Sequence, residues 1–195
     1  TEILRFQTVR ADVGRVNGRY FAETLSFGLD AAIALDTMDR RQKSGRAGTM
    51  LYLESAVDQL FHHLQVFSFK MDVLGAEPGC APHPEWDDAY LVAVQVGPTY
   101  GGHFRITPKA RLDDGLLDIC WATPELSPMR ALALLLRARG GKHTGNDHIH
   151  FRRASSLVLD FEEEPPAQMD GEPVRGTHFV IDCVPDALTV VVGQR

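Results

Sequence analysis

The feature that most constrains the fold is a succession of short segments rich in β-branched and aromatic residues, most of them separated by turns rather than by helices. The chain has 17 glycines and 11 prolines in 195 residues. Strands joined by short turns pair antiparallel. We therefore predict a mainly β protein, an antiparallel β-sandwich with two or three attached helices, as a single domain over residues 1–195. The predicted strands cover residues 2–10, 15–26, 90–96, 103–106, 116–121, 151–161, 177–183 and 188–192.

Three segments carry helical patterns, and the turns between elements are also marked. Residues 28–38 form a short predicted helix, and apolar residues repeat at helical spacing from Leu53 to Leu64. Ser127 and Pro128 begin a third helix, with a capping hydroxyl and proline at the first position, and Gly140-Gly141 end it. Loops are predicted over 39–48, which is polar and basic, and over 76–88, which is rich in proline. Asn17-Gly18 predicts a hairpin turn.

Charge and composition exclude several classes of protein. The net charge of -6 argues against a nucleic-acid partner. No apolar run approaches the ~20 residues that span a bilayer, and the N-terminus has no signal-peptide pattern. Three widely spaced cysteines match no zinc or redox spacing and favour a reducing cytoplasm. Two basic clusters are more typical of solvated surface, although such a patch can dock on anionic lipid. They are Arg40, Arg41, Lys43 and Arg46, and Arg137, Arg139 and Lys142.

Two further patterns imitate functional motifs. Gly140-Gly141-Lys142-His143-Thr144 lacks the glycine and hydroxyl positions of a phosphate-binding loop, and it follows a helix instead of a strand. His143, Asp147, His148 and His150 lie within eight positions, but no third ligand stands at a recognised zinc spacing. We interpret both as ordinary loop and strand-surface residues.

Carboxylates at two glycine-marked turns are better candidates for chemistry. In Arg111-Leu112-Asp113-Asp114-Gly115-Leu116, carbonyl and carboxylate oxygens can converge on Mg²⁺. The alternative is a hairpin in which an aspartate bonds its own backbone. In Asp170-Gly171-Glu172, the glutamate can project as a general base. Here, too, a plain Asp-Gly hairpin turn is the alternative.

An ordered set of short motifs resembles one enzyme family over roughly residues 16–192. The chain is similar to the C-terminal domain of the bacterial diacylglycerol kinase-like lipid kinases, within the diacylglycerol and sphingosine kinase group. Each motif alone is weak, but the order and gaps of the set are specific. The set comprises Val16-Asn17-Gly18-Arg19-Tyr20-Phe21, Ser26-Phe27-Gly28-Leu29-Asp30-Ala31, Tyr100-Gly101-Gly102, Pro108-Lys109-Ala110, Asp113-Asp114-Gly115-Leu116-Leu117-Asp118, Asp170-Gly171-Glu172 and Pro185-Asp186-Ala187-Leu188.

The resemblance implies an ATP-dependent lipid kinase with two domains. An N-terminal domain with a Gly-Gly-Asp-Gly-Thr loop would hold ATP; that motif does not occur in this chain, so we expect the nucleotide-binding domain to be absent from it. By the resemblance, Asp114 and the carbonyls of Arg111 and Leu116 would bind Mg²⁺. Glu172 would be the catalytic base, supported by Asp170. Gly97-Pro98-Thr99 and His103 depart from the family pattern, which leaves the lipid preference open.

The expected reaction is phosphoryl transfer from ATP to a lipid hydroxyl, with diacylglycerol as the first candidate. A sphingoid base or another lipid is the alternative within the enzyme class, and a non-catalytic binding or dimerisation module is the alternative outside it. We expect a cytoplasmic protein that contacts the inner membrane surface peripherally. The sequence does not decide between a monomer and a homodimer. The chain alone is expected to be inactive.

Overall fold

The computed structural model describes residues 6–76, 83–101 and 104–193. Over these residues the chain forms eleven strands and three helices. The strands are β1 Phe6–Val16, β2 Arg19–Phe21, β3 Thr24–Gly28, β4 Phe67–Ala76, β5 His83–Ala89, β6 Leu91–Gln95, β7 Leu117–Ala122, β8 Ile149–Phe161, β9 Ala167–Met169, β10 Glu172–Val174 and β11 His178–Gly193. The helices are α1 Leu29–Ser44, α2 Thr49–His62 and α3 Pro128–Ala138.

All described strand pairs are antiparallel, and they form one curled sheet. Its main path runs β10-β9-β3-β6-β7-β8-β11-β1-β2, and the β4–β5 hairpin is attached through β8. β2, at one end of the path, lies close to β3, the third strand from the other end, because only Ala22 and Glu23 separate them. The prediction of a mainly β, antiparallel fold with two or three attached helices is confirmed, and the number of helices is three.

The inner face of the curled sheet encloses the main hydrophobic core. Side chains alternate in and out along each strand, so Leu25 and Phe27 of β3 point inward. Phe27 packs against Phe161 and Phe179, with ring centroids 4.8 and 4.7 Å apart. Burial of such aromatic rings on one face fixes the register of the strands, since a slip of one residue would expose them.

The outer face of the same strands is covered by the helices. A second, smaller core joins the three helices to the segment 104–106. Its buried members are Ile33, Tyr52, Ala56, Phe104 and Ala138. The outward positions of β3, β6 and β7 therefore lie in an interior, although they oppose the main core. Several of them are polar, and they provide the site described below.

Several local predictions are confirmed. Asn17 and Gly18 have φ angles of 46° and 84° and connect β1 to β2. The apolar repeat at 53–64 lies within α2, and Pro128 is the first residue of α3. The Ser127 side chain makes no capping hydrogen bond to a described residue, so that detail was wrong. The start of α3 depends on Pro128 and on the Ser127 carbonyl, which accepts the Ala131 amide at 2.9 Å.

The predicted loop over 39–48 was wrong, because α1 continues to Ser44. Two ion pairs at helical spacing support the extra turns, between Arg40 and Asp36 at 2.6 Å and between Lys43 and Asp39 at 2.5 Å. Gly45, with a φ of 67°, ends the helix in the left-handed conformation.

The other corrections concern strands. β4 was not predicted, and β5 lies inside the predicted loop 76–88, of which 77–82 are outside the described residues. The predicted strand at 103–106 is wrong over its described part: Phe104 makes a single bridge to Tyr100, and His103 lies outside the described residues. The predicted strand 15–26 divides into the end of β1, β2 and β3. The strands 177–183 and 188–192 are one element, β11, with a bulge opposite Ala11 and Val13.

Candidate functional site

Both predicted turns lie at the same end of the sheet. In register, Thr24 of β3 opposes Gln95 of β6, Gln95 opposes Asp118 of β7, and Asp118 opposes Arg153 of β8. We call these four residues the cross-strand row. Asp170 extends it on the other side, where its amide donates to the Thr24 carbonyl at 2.9 Å. A line of polar side chains therefore crosses four strands at one end of the sheet and ends at the turn after β9.

Asp170 holds the link between β2 and β3. Its carboxylate accepts three backbone amides, from Ala22 at 2.6 Å and from Glu23 and Thr24 at 2.9 Å each. The residue has a φ of 48°, and Gly171 has a φ of 90°, which is the pair of left-handed residues that a two-residue hairpin turn requires. The Asp-Gly turn between β9 and β10 is thus a hairpin, and Asp170 fixes where that hairpin lies.

Glu172 is the first residue of β10 and is exposed. Its carboxylate makes no hydrogen bond or ion pair with the described part of the chain. The neighbouring Gly171 amide is fixed, since it donates to the Gln168 side chain at 2.7 Å. Glu172 is therefore a free carboxylate on a rigid turn, an arrangement that lets it accept a proton from a group brought from outside.

A buried polar chain leads from this turn to the helices. The Gln168 amide donates to the Ser26 hydroxyl at 2.7 Å, and both residues are buried. Asp30, at the start of α1, is the next buried polar residue, and the Ser26 and Tyr52 hydroxyls act on its pKa. Burial raises the pKa of Asp30 to about 6, and the bonds from Ser26 and Tyr52 partly offset that rise.

The Ser-Phe-Gly-Leu-Asp segment requires its glycine to place Asp30. Gly28 has a φ of 74°, and a β-carbon there would lie 2.4 Å from the Tyr90 carbonyl oxygen. Both the angle and the close contact exclude a larger residue. Glycine at this position lets β3 run directly into α1, so that Asp30 faces the covered side of the sheet.

The 111–116 loop is held by a buried aspartate that the sequence did not single out. The Asp12 carboxylate accepts the Gly115 amide at 2.7 Å and the Asp186 amide at 2.9 Å. The Asp12 amide also donates to the Leu112 carbonyl at 2.7 Å. Asp12 lies between Ala11 and Val13, opposite the bulge that residues 185–187 form in β11, and the interrupted pairing there leaves its backbone and side chain free to bond the loop.

Asp114, the predicted metal ligand, is paired within the chain. One carboxylate oxygen accepts the Leu116 amide at 3.2 Å, and the other meets the Arg153 guanidinium, which also lies 3.4 Å from Asp118. The described residues contain no group of three or more His, Cys, Asp or Glu side chains placed to hold a metal. Both carboxylate oxygens of Asp114 are thus already used within the chain, and a Mg²⁺ ion would have to share this carboxylate with the Arg153 guanidinium.

The two predicted turns do not form one cluster. Three strand steps separate Asp170 from Asp118, which is on the order of 14 Å at the usual spacing of strands. The 111–116 loop and the β9–β10 turn thus share one end of the sheet without direct contact between Asp114 and Glu172. Their roles have to differ: one turn presents a free carboxylate, and the other is an internally bonded loop.

An apolar cavity lies between the helices and the outer face of the sheet. Its volume is about 70 Å³, and its walls come from α1, α2, α3, β6 and β7. Leu29, Leu91, Ala122, Leu134 and Leu135 are among the residues that line it. Two buried polar atoms, Asp30 Oδ2 and His143 Nδ1, belong to lining residues and have no partner among the described residues. We call this the helix cavity.

The two imitating motifs have structural roles. Gly140-Gly141-Lys142-His143-Thr144 forms the turns after α3, where the Lys142 amide donates to the Arg137 carbonyl at 3.0 Å. His143 is buried, and its Nε2 donates to the Ile106 carbonyl at 2.8 Å. His148 lies 3.6 Å from Glu125, and His150 stacks on Trp121.

Sequence reasoning missed Asp12, Asp30 and Gln168 as members of the site. Asp30 and its preceding glycine were within a quoted motif, so a signal existed there. Asp12 and Gln168 lie in strand-like segments, and only the register of the sheet reveals what their side chains accept or donate.

Comparisons with known proteins agree with this architecture. The family model of the YegS C-terminal NAD kinase beta sandwich-like domain matches residues 23–192. The chain is 25% identical over 187 residues to a Serratia proteamaculans protein named "Probable lipid kinase YegS-like", covering 93% of this chain and 55% of that protein. A Pseudomonas aeruginosa protein of the same name is 27% identical, with 94% and 57% covered.

A solved structure shows the same fold. The crystal structure of a diacylglycerol kinase from Bacillus anthracis superposes with a TM-score of 0.62 at 20% sequence identity, over 94% of this chain and 53% of that one. The chain thus spans little more than half the length of the relatives that it matches.

Proposed function

The chain belongs to the family of YegS C-terminal NAD kinase beta sandwich-like domains, and from that membership we propose that it is the lipid-binding part of an ATP-dependent lipid kinase. The reaction is transfer of the γ-phosphoryl group of ATP to a lipid hydroxyl, with diacylglycerol as the first substrate and a sphingoid base as the alternative. The half of the relatives' length that this chain does not span would supply the ATP site.

The observation that carries the proposal is the helix cavity. A lipid kinase has to hold apolar chains while it exposes one hydroxyl, and this cavity combines apolar walls with two buried polar atoms. At about 70 Å³ it has room for a few water molecules or a short stretch of acyl chain. A whole acyl chain would require the helices to move apart.

In the proposed mechanism, Glu172 is the general base. Its carboxylate takes the proton of the lipid hydroxyl while that oxygen bonds to the γ-phosphorus, and the bond from the γ-phosphorus to the bridging oxygen breaks to release ADP. The exposure of Glu172 supports this role, because the phosphoryl donor has to approach from the other half of the enzyme. Asp170 is a positioning residue, since its carboxylate is used by three amides.

Asp114 and the carbonyls of Arg111 and Leu116 would hold Mg²⁺ in this proposal. When bound, the ion supplies positive charge that orders an oxygen-rich turn. Asp12 and Arg153 already bond the same loop, so they share that ordering role. Asp114→Asn in the complete enzyme is expected to weaken magnesium dependence and activity together. An unchanged magnesium titration would mean that the turn is an ordinary hairpin that binds no metal.

The lipid substrate implies contact with a membrane surface, and we propose a cytoplasmic enzyme that binds the inner membrane peripherally. Among the described residues no helix is both long and apolar enough to cross a bilayer.

A lipid panel tests the proposed function. The complete protein is incubated with radiolabelled ATP, Mg²⁺ and mixed micelles that contain diacylglycerol, sphingosine or no acceptor, and the extracted lipids are separated. We expect labelled phosphatidic acid. Label on sphingosine would select the alternative substrate, and no labelled lipid from any acceptor would favour a binding or dimerisation module.

A further inference from the structure

We propose that the outer face of α3 is the surface that docks on an anionic membrane, with the inner face of the same helix forming a wall of the helix cavity. The proposal rests on the proposed function in one respect, since it takes the partner to be a lipid surface. It adds which face of the molecule meets that surface and where lipid reaches the cavity.

The first observation is an exposed apolar stripe on α3. Met129 and Leu136 are 66% and 47% exposed, and Ala133 between them is also exposed. Their spacing of four and three residues places all three on one side of the helix. Leu134 and Ala138 lie on the opposite side, buried against the cavity. A helix that is apolar on both sides needs an apolar partner for the outer one.

The second observation is the charge around that stripe. Arg130 and Arg137 are one position beyond Met129 and Leu136, and they flank the stripe on one side of the helix. α3 contains no acidic residue, while Arg139 and Lys142 follow directly after it. Arg130, Arg137 and Lys142 are exposed and make no ion pair with the described residues. Two acidic side chains are near: Asp147 lines the same groove as Arg130 and Arg137, and Glu125, just before the helix, lies 3.6 Å from His148 of that groove.

This combination selects one partner. The chain as a whole has a net charge of -6, so an unpaired basic helix stands out against its background. Arginines beside a narrow apolar stripe are typical of helices that lie in the interface of a bilayer, with apolar side chains among the acyl chains and cations at the phosphates. Anionic lipid satisfies both features, whereas a second copy that pairs through the same helix would bring the arginines of the two copies together.

The position of α3 gives the docking a consequence. Ala131, Leu134, Leu135 and Ala138 line the helix cavity, so the helix separates the cavity from the outer face. A membrane that binds the outer face therefore brings acyl chains within one helix diameter of the cavity, about 10 Å. A small displacement of α3 would connect the two.

Vesicle sedimentation of the chain tests the proposal. The probes are vesicles of phosphatidylcholine alone and vesicles with about one third phosphatidylglycerol. We expect the wild-type chain to sediment with the anionic vesicles, and this binding to weaken as salt rises. Replacing both arginines (Arg130→Gln with Arg137→Gln) should weaken binding about fivefold for each charge removed. Met129→Glu should weaken it at least as much.

The matched control is Met50→Glu. Met50 lies on α2 and is exposed to the same 66%, but its neighbouring charges, Arg46 and Glu54, are paired with each other at 2.5 Å. We expect the control to bind like the wild type, and unchanged circular dichroism establishes that each variant is folded. Equal losses for Met129→Glu and Met50→Glu would overturn the proposal, as would equal binding to neutral and anionic vesicles.

Two outcomes separate this proposal from its rivals. The proposal is wrong if the wild type does not bind vesicles but forms a dimer in analytical ultracentrifugation that Leu136→Glu dissociates. In that case α3 is a subunit interface. Vesicle binding requires no phosphoryl transfer, so the two proposals can fail separately. If the chain binds anionic vesicles through α3 but the complete protein phosphorylates no lipid, this proposal stands and the proposed function is wrong.

Discussion

At the scale of single residues, Asp170 and Glu172 are two positions apart and should respond differently to mutation. Asp170→Ala removes the acceptor of three amides and places alanine at a φ of 48°. We expect the free energy of unfolding to fall by about 2 kcal/mol, measured by urea denaturation. Glu172→Gln, at an exposed carboxylate, should change it by less than about 0.5 kcal/mol. Equal effects would mean that Asp170 does not hold the turn.

Asp30 predicts an unusual dependence of stability on pH. Its pKa is raised to about 6 by burial, so the folded state retains a proton that the unfolded chain has lost between about pH 4 and 6. Ionisation of Asp30 therefore lowers stability as pH rises through this window, by about 3 kcal/mol in all. Asn cannot ionise, so Asp30→Asn should be more stable than the wild type at pH 8 and similar to it at pH 4.

Thermal melts of both proteins at several pH values provide the measurement. Asp113→Asn is the control, because Asp113 is exposed and its substitution should give no difference that grows with pH. A constant difference between the wild type and Asp30→Asn from pH 4 to 8 would contradict the raised pKa.

At the scale of elements, Asp12 of β1, which lies opposite the bulge of β11, orders the 111–116 loop. Asp12→Ala leaves the amides of Gly115 and Asp186 without their acceptor. We expect hydrogen exchange of the loop to accelerate by about tenfold, corresponding to the loss of one or two hydrogen bonds, while β3 and β6 exchange as before. Asp113→Ala, which removes only an exposed pair with Arg111, should leave loop exchange unchanged. If hydrogen exchange of the loop is unaltered in Asp12→Ala, Asp12 does not order the loop.

Elements with strong local patterns were predictable from the sequence. The apolar repeat of α2, the Pro128 start of α3 and the buried run of β6 each carry their own pattern. The predicted helix ended at residue 38 because residues 39–44 are polar. The ion pairs that extend α1 join residues four apart, and this spacing pairs them only if the segment is already helical. β9 and β10 have three residues each, too few to show alternation, and exist because β3 offers β9 an edge.

The site was predictable only in part, for a physical reason. Asp114, Asp170 and Glu172 stand at glycine turns, which sequence marks. The cross-strand row, the Asp12 contacts and the helix cavity depend on which strands become neighbours, and pairing between residues 12, 115 and 186 leaves no local trace. Long-range register therefore sets most of the site.

At the scale of the whole molecule, we predict that nucleotide binding requires more than this chain. The amides of Gly140, Gly141 and Lys142 donate to carbonyls within the chain. The turns that carry Asp114, Asp170 and Glu172 present carboxylates, which repel phosphates. Calorimetric titration of the chain with Mg-ATP should show no binding in the micromolar range. Micromolar affinity would place a nucleotide site within these residues and contradict the division of roles.

The most direct test of the central claim is the turnover of Glu172→Gln in the complete enzyme with saturating diacylglycerol. Glutamine has nearly the size of glutamate but does not accept the proton as a carboxylate does. If Glu172 is the general base, kcat falls by ~10²–10⁴ while the melting temperature and the affinity for ATP stay nearly unchanged. Near-normal turnover in this variant, or a wild-type enzyme that labels no lipid, would contradict it.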